Sequence, residues 1–189
     1  MTRAQSRTQT HIPTMPGTVD DFLKQFSGGG TIDDRQAQQY HDLFVSKDPA
    51  NSAFDNQTYQ RSASEYIGQL PDDQFQQAAA AAVSQAAPAD KQGLLGGLLG
   101  ALAGAAGGGG AANIANKIGL DSTDPSKMSP DDAARLMNYA RTQQPDALAK
   151  TVQEKPWFVK AMGNPILMGT LAIAAAKLVA DQRRKAAGG

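Results

Sequence analysis

The chain has 189 residues, which is enough for one medium-sized domain with a hydrophobic core. Its 18 basic side chains balance its 18 acidic ones, so no overall charge attracts nucleic acid or an anionic membrane. The absence of cysteine excludes disulfides, thiolate metal sites and cysteine nucleophiles. Because β-branched residues are sparse, a sheet has little to build on. The composition predicts an all-α protein that would suit the cytosol of a bacterium.

The first 17 residues are polar, carry Arg3 and Arg7 and contain no acid, so they are predicted to form a disordered tail. No signal peptide is expected, because the first long apolar run begins at Gly93. Residues 18–30 are predicted to form a short helix capped by Thr18, followed by a hinge of three glycines. The main domain is then expected to span residues 31–186.

Three apolar side chains lie on one side of this first helix: Phe22, Leu23 and Phe26, at positions i, i+1 and i+4. They would form a small anchor for a groove on a neighbouring chain or partner protein. The alternative is that they cover the protein's own bundle, and the sequence does not separate the two.

A series of short helices follows, each predicted from apolar residues at helical spacing between proline, aspartate and glycine signals. Their predicted spans are about 31–46, 56–70, 71–87, 93–107, 113–120, 130–143 and 165–182, with two short helices opened by Pro145 and Pro156 before the last. Tyr66 and Tyr139 are each followed by a Pro-Asp helix and then by a small-residue helix. This order suggests a faint internal duplication of 56–107 and 130–182; the alternative is that capped helices in any bundle look alike.

The helix at about 93–107 organises the chain. Its leucines fall in one arc, roughly 140° wide at ~100° per residue, and its glycines fall in the opposite arc. Since neither face is polar, the helix must be buried in protein or in lipid. Gly96, Gly100 and Gly104 form a small-xxx-small ridge, which allows two backbones to approach closely. These three glycines are the predicted contact points of a helix–helix interface.

The last helix, at about 165–182, carries a second ridge of small residues. Gly169, Ala172 and Ala176 fall within about 80° of one another on a helical projection. The simplest expectation is that the two ridges meet inside the bundle, backbone close to backbone.

The glycine ridge resembles the glycine zippers of small bacterial envelope and pore-forming proteins. That resemblance implies membrane insertion of an apolar hairpin formed by residues 93–118 and 164–180, with Trp157 at the membrane interface. Against this, a spanning helix needs about 20 apolar residues, and both runs are shorter. A buried hairpin in a cytoplasmic protein is therefore the first expectation, and membrane association is the alternative.

Candidate catalytic groups are few. Four aspartate pairs could bind hard cations or act as acid and base, but each lies in the first turn of a predicted helix, where it would cap that helix. These pairs are Asp20–Asp21, Asp33–Asp34, Asp72–Asp73 and Asp131–Asp132. His41 is a lone histidine beside an apolar stripe, a setting more typical of a core edge than of a catalyst. No catalytic residue, cofactor or metal site is therefore predicted.

The sequence thus predicts a non-enzymatic helical protein that acts by associating with copies of itself or with a protein partner. Its interface residues would be the glycine ridge, the second ridge and the N-terminal anchor. No specific binding to nucleic acid is expected, because the basic residues are spread out and accompany no DNA-reading motif.

Overall fold

The computed structural model describes residues 18–27, 32–105 and 110–188. This part of the chain is an all-α multi-helix bundle without strands, as predicted. Its ten α-helices are α1 (Val19–Ser27), α2 (Asp34–Val45), α3 (Asn56–Gln69), α4 (Asp72–Gln85), α5 (Pro88–Ala105), α6 (Gly110–Ile118), α7 (Pro130–Gln143), α8 (Pro145–Glu154), α9 (Pro156–Ala161) and α10 (Asn164–Ala187). The predicted tail at 1–17 and the predicted glycine hinge at 28–30 lie outside the described residues. The short helix predicted between them is α1.

Polar side chains define where several helices begin. The backbone N–H of Asp21 donates to the hydroxyl of Thr18 over 3.1 Å, which is the predicted cap of α1. Asp33 caps α2: its carboxylate accepts from the N–H of Gln36 over 2.7 Å, and the side-chain oxygen of Gln36 accepts from the backbone N–H of Asp33 over 3.3 Å. The sequence predicted this start at Thr31, which lies outside the described residues. The predicted start of α2 was therefore two residues early, because the Asp-x-x-Gln capping box lies further along the chain.

The buried apolar side chains form two clusters. The main core gathers residues of α3 to α9 around the leucines of α5. The aromatic core lies where α1, α2, α3 and α10 meet, and contains Phe22, Phe44 and Tyr59 together with Leu167 and Leu171 of α10. α10 packs against α1, α2, α3 and α9, so its apolar middle belongs to the aromatic core.

The helix α1 packs against α10 of its own chain. Phe22 is completely buried, and its ring centre lies 5.0 Å from that of Tyr40 and 5.2 Å from that of Phe44. Leu23 is 7% exposed and Phe26 is half-buried at the edge of the same cluster. In the single chain these three side chains therefore cover the protein's own bundle, which is the second of the two alternatives for the anchor.

The helices contact one another in the pattern that an internal duplication would produce, with α3 and α4 corresponding to α7 and α8. α4 packs on α7 and α8 packs on α3, while α5 contacts α8 and α9 contacts α4. The second half differs in that a turn at Gly163, with φ of 106°, separates α9 from α10. Such a positive φ favours glycine because a side chain would meet the backbone. The duplication itself stays a prediction.

Candidate interaction surfaces

The leucine face of α5 is buried as the sequence predicts. All five leucines of this face are at most 7% exposed and belong to the main core: Leu94, Leu95, Leu98, Leu99 and Leu102. They pack toward α6, α7 and α8. Among the described residues, α5 is therefore held in the bundle mainly through its leucine face.

The opposite face of α5 lies on the surface. Gly97, Gly100 and Gly104 are exposed, and a Cβ placed on any of them would meet no atom of the described residues within 4 Å. Ala101 is exposed beside them. The face therefore presents backbone and the methyl groups of Ala101 and Ala105, with no charged side chain between Gln92 and Ala105.

The chain itself covers the N-terminal part of the predicted ridge. A Cβ on Gly96 would lie 3.7 Å from Cγ of Pro125, which belongs to the loop between α6 and α7. One turn earlier, a Cβ on Gly93 would lie 3.4 Å from Nζ of Lys155. Of the three predicted contact points, Gly100 and Gly104 are thus accessible, while Gly96 borders the loop.

The two small-residue ridges do not meet inside the chain, so this expectation was wrong. A Cβ on Gly169 would overlap the ring of Tyr66 on α3, whereas Gly100 and Gly104 have open space around them. Gly169 serves the contact of α10 with α3, where the aromatic ring occupies the space of the missing side chain. Helical periodicity identified both ridges but could not show which neighbour each one faces.

The rest of the second ridge lines a surface groove. Ala172 and Ala176 are exposed on α10, and with Leu23 and Phe26 of α1 they border a groove with a volume of about 340 Å³. The groove thus brings together four of the predicted interface residues from two separate elements. Arg183 is also part of its lining.

His41 lies in the interior of the protein, whereas the sequence predicted that it would lie at the edge of the core. It is 2% exposed, and its Nδ1 is 2.6 Å from the hydroxyl of Tyr59. Burial lowers the pKa of the imidazole to about 4, with Asp42 partly opposing the shift and Lys160 adding to it. Burial and Asp42 raise the pKa of the Tyr59 hydroxyl above its usual range. Both groups are thus neutral near pH 7, and their hydrogen bond joins α2 to α3.

Each aspartate pair lies at the start of a helix, and one member of each pair has a polar partner. Asp21 accepts from the Thr18 hydroxyl over 2.7 Å, Asp33 caps α2, and Asp132 lies 3.6 Å from Arg135. Asp72 forms an ion pair with Arg141. In the described part of the chain, no three His, Asp or Glu side chains are grouped to hold a metal ion.

One described helix, α10, is long and apolar enough to cross a membrane by length and composition. α5 and α6 would pass the same test only together, and they are bent by 101° relative to each other. In the bundle, Leu167, Leu171 and Ala174 of α10 are completely buried in the aromatic core.

Arg141 has a structural role that sequence reasoning missed. Its side chain is 7% exposed and reaches the carbonyl of Ile67 at the end of α3 over 3.2 Å. The only available signal was an arginine in the last turn of an amphipathic helix, which is usually solvated.

No protein-family model matches the chain, and neither the curated proteins nor the solved structures include a significant match to it.

Proposed function

We propose that the protein acts by non-enzymatic self-association through the exposed glycine face of α5, formed by Gly97, Gly100, Ala101 and Gly104. The observation that supports this is the open space above a core helix: a Cβ at any of the three glycines would contact none of the described residues within 4 Å. A surface helix of a soluble protein usually carries polar side chains on its outer face. Here that face has none, so it is built for contact with something other than water.

Small residues make such a contact inexpensive. Glycine and alanine have no side-chain rotamers to fix, so no side-chain entropy is lost when the face is covered. They also let a second helix approach until backbone atoms touch, which gains dispersion and Cα–H···O contacts. The cost is that the glycines weaken α5 itself, by up to ~1 kcal/mol each relative to alanine. A function in packing would explain why the sequence retains them.

A second copy of the same chain is the partner that fits this face best. The face is uncharged, so two copies can approach without like-charge repulsion. A stripe of glycines is complementary to itself across a twofold axis, which gives the isologous contact that most homodimers use. We expect a dimer in which the two α5 helices cross at Gly100.

The mass in solution tests this proposal. Wild type should have a mass in light scattering that is a multiple of 19.8 kDa, and Gly100→Gln should lower it to the single-chain value. Gly68→Gln is the matched control, because Gly68 is also an exposed helical glycine with open space around it. A wild-type mass of one chain at all concentrations, or an assembly that survives Gly100→Gln, would overturn the proposal.

Membrane association is the second candidate function, and the length and composition of α10 favour it. It would require α10 to leave the aromatic core, where Leu167 and Leu171 are completely buried. Wild-type protein that stays in the supernatant when sedimented with anionic vesicles at low salt would rule this candidate out.

A further inference from the structure

The groove between α1 and α10 has a size and a polarity that suit one kind of small molecule. Along α10 its lining runs from Ala172 and Ala176 through Val179 to Arg183. These positions fall on one line of the helix, about 16 Å long at 1.5 Å per residue. The groove is therefore apolar along most of its length and cationic at one end. Phe26 of α1, half-buried, forms part of the opposite wall.

The cation at that end has no acidic partner within the described residues. Arg184, the next residue, lies 3.7 Å from Asp181, whereas Arg183 forms no ion pair or hydrogen bond with any described side chain. An anionic group placed at the end of the groove would pair with Arg183 without displacing an existing partner. A charge-assisted pair with a carboxylate is stronger than a neutral hydrogen bond, and the arginine fork favours it.

The volume of the groove favours a small molecule over a protein segment as its occupant. Small-molecule sites usually measure 300–1,000 Å³, and this groove measures about 340 Å³. A helix about 10 Å across and 16 Å long would occupy roughly 1,200 Å³. Only one edge of a helix could enter, whereas a single hydrocarbon chain would lie inside along the line of alanines.

We infer that the groove between α1 and α10 binds a single-chain carboxylate amphiphile, a fatty acid, with the hydrocarbon along Ala172, Ala176 and Val179 and the carboxylate at Arg183. Binding involves no covalent step. Its driving force is the burial of methylene groups against alanine and phenylalanine. The site is formed by α1 and α10, whereas the glycine face belongs to α5, so the inference does not depend on self-association.

Equilibrium dialysis of the full chain against radiolabelled dodecanoate, below its micelle concentration, tests the inference. Wild type should bind dodecanoate saturably, with about one molecule per chain, and about tenfold more tightly than 1-dodecanol, which lacks the charge. Arg183→Gln should remove that difference between the two probes. Arg184→Gln is the matched control and should preserve it, because Arg184 already pairs with Asp181.

A second variant tests the apolar part of the groove. Ala176→Leu adds a side chain to an exposed position that lines the groove, so it should weaken binding of both probes at least tenfold at an unchanged melting temperature. Saturable binding that Ala176→Leu leaves intact, or no saturable binding by wild type, would overturn the inference. Binding to anionic vesicles without binding of soluble dodecanoate would also overturn it, since the anionic group would then be a lipid surface. Gly100→Gln should bind dodecanoate like wild type, which keeps this result separate from the test of self-association.

Discussion

The guanidinium carbon of Arg141 lies 4.7 Å from the centre of the Phe75 ring, so α7 and α4 are joined by a cation stacked on a core aromatic. The same group donates to the carbonyls of Ile67 and Leu70 and to the carboxylate of Asp72. Helices end with carbonyls that lack partners within the helix, and Arg141 supplies donors to those at the end of α3. One planar side chain thus holds the α3–α4 corner against α7.

Replacing Arg141 should destabilise the fold by more than the loss of one ion pair. We expect Arg141→Met to lower the free energy of unfolding by about 2–4 kcal/mol. The Leu70 carbonyl and the aromatic face lose this partner, and the Ile67 carbonyl keeps only the N–H of Leu70, over 3.4 Å. Arg141→Lys should recover only part of this loss, since the three donors of an ammonium group lie on a single nitrogen and lack the planar spread of the guanidinium. Urea unfolding followed by circular dichroism would measure both values.

The ion pair with Asp72 is expected to be the minor part of this contact. The Asp72 side chain is 67% exposed, and exposed pairs usually contribute less than about 1 kcal/mol. Asp72→Asn is therefore the control, with an expected loss below about 1 kcal/mol. Equal losses in Arg141→Met and Asp72→Asn would contradict the role given to the carbonyls and to Phe75.

Gly169 is predicted to be intolerant of a side chain because of Tyr66. Gly169→Ala should lower stability by about 1–3 kcal/mol, since the new Cβ would overlap the Tyr66 ring and force it to move. In a Tyr66→Ala background the same change should become neutral or stabilising, because alanine is the better helix former.

Gly68→Ala is the control for this cycle. Gly68 lies on α3 with open space around it, so the substitution should raise the free energy of unfolding by up to ~1 kcal/mol. A cost of Gly169→Ala that persists without the Tyr66 ring would show that the glycine is needed for another reason.

Phe22 should prove essential to the stability of the single chain. It is completely buried, and its ring centre lies 4.7 Å from that of Phe26. Phe22→Ala should cost about 3–5 kcal/mol, as expected for truncating a buried aromatic residue, and should lower the melting temperature measured by calorimetry. Lys24→Ala, an exposed position on the same helix, should change little. An unchanged melting temperature in Phe22→Ala would instead support a detachable docking arm.

Much of the fold could be predicted from the sequence because its signals are local. The spacing of Phe75, Ala79, Ala82 and Val83 identified the buried face of α4, and all four are buried. Pro130 after Ser129 marked the start of α7, where the Ser129 hydroxyl accepts from the N–H of Asp132 over 3.1 Å. Caps, prolines and helical periodicity each depend on residues within about four positions of one another.

The parts that could not be predicted depend on contacts between distant residues. Helical periodicity shows that Gly169 lies on a small-residue face, but not that Tyr66, about a hundred positions earlier, fills the space beside it. Likewise His41 and Tyr59 each looked ordinary, and only the packing of α2 on α3 brings Nδ1 and the hydroxyl to 2.6 Å. The same holds for the candidate surfaces: the sequence identified the helix faces made of small residues but not the elements that pack against them.

The buried His41 should make the fold sensitive to mild acid. Its pKa is about 4 in the folded chain, below the ordinary value of 6.5, so between these two values the unfolded chain binds more protons. Stability therefore falls as pH decreases from about 6.5 to about 4, and it levels off below that because the folded form is then protonated too. The expected loss of unfolding free energy between pH 7 and pH 5 is on the order of 2 kcal/mol. The pKa values of the Asp55 and Asp124 carboxyl groups are lowered from 3.8, so their contribution to stability changes mainly below that window.

A variant without His41 isolates this contribution to the pH dependence. His41→Gln keeps a polar side chain near Tyr59 but does not titrate, so its stability should be nearly flat between pH 7 and pH 5, although lower than wild type at pH 7. Tyr59→Phe is the companion variant: it removes the hydrogen bond but leaves His41 to titrate, so the acid sensitivity should remain. Urea unfolding of the three proteins at pH 7, 6 and 5 would give the slopes directly. Parallel slopes for wild type and His41→Gln would show that protonation of another group causes the acid sensitivity.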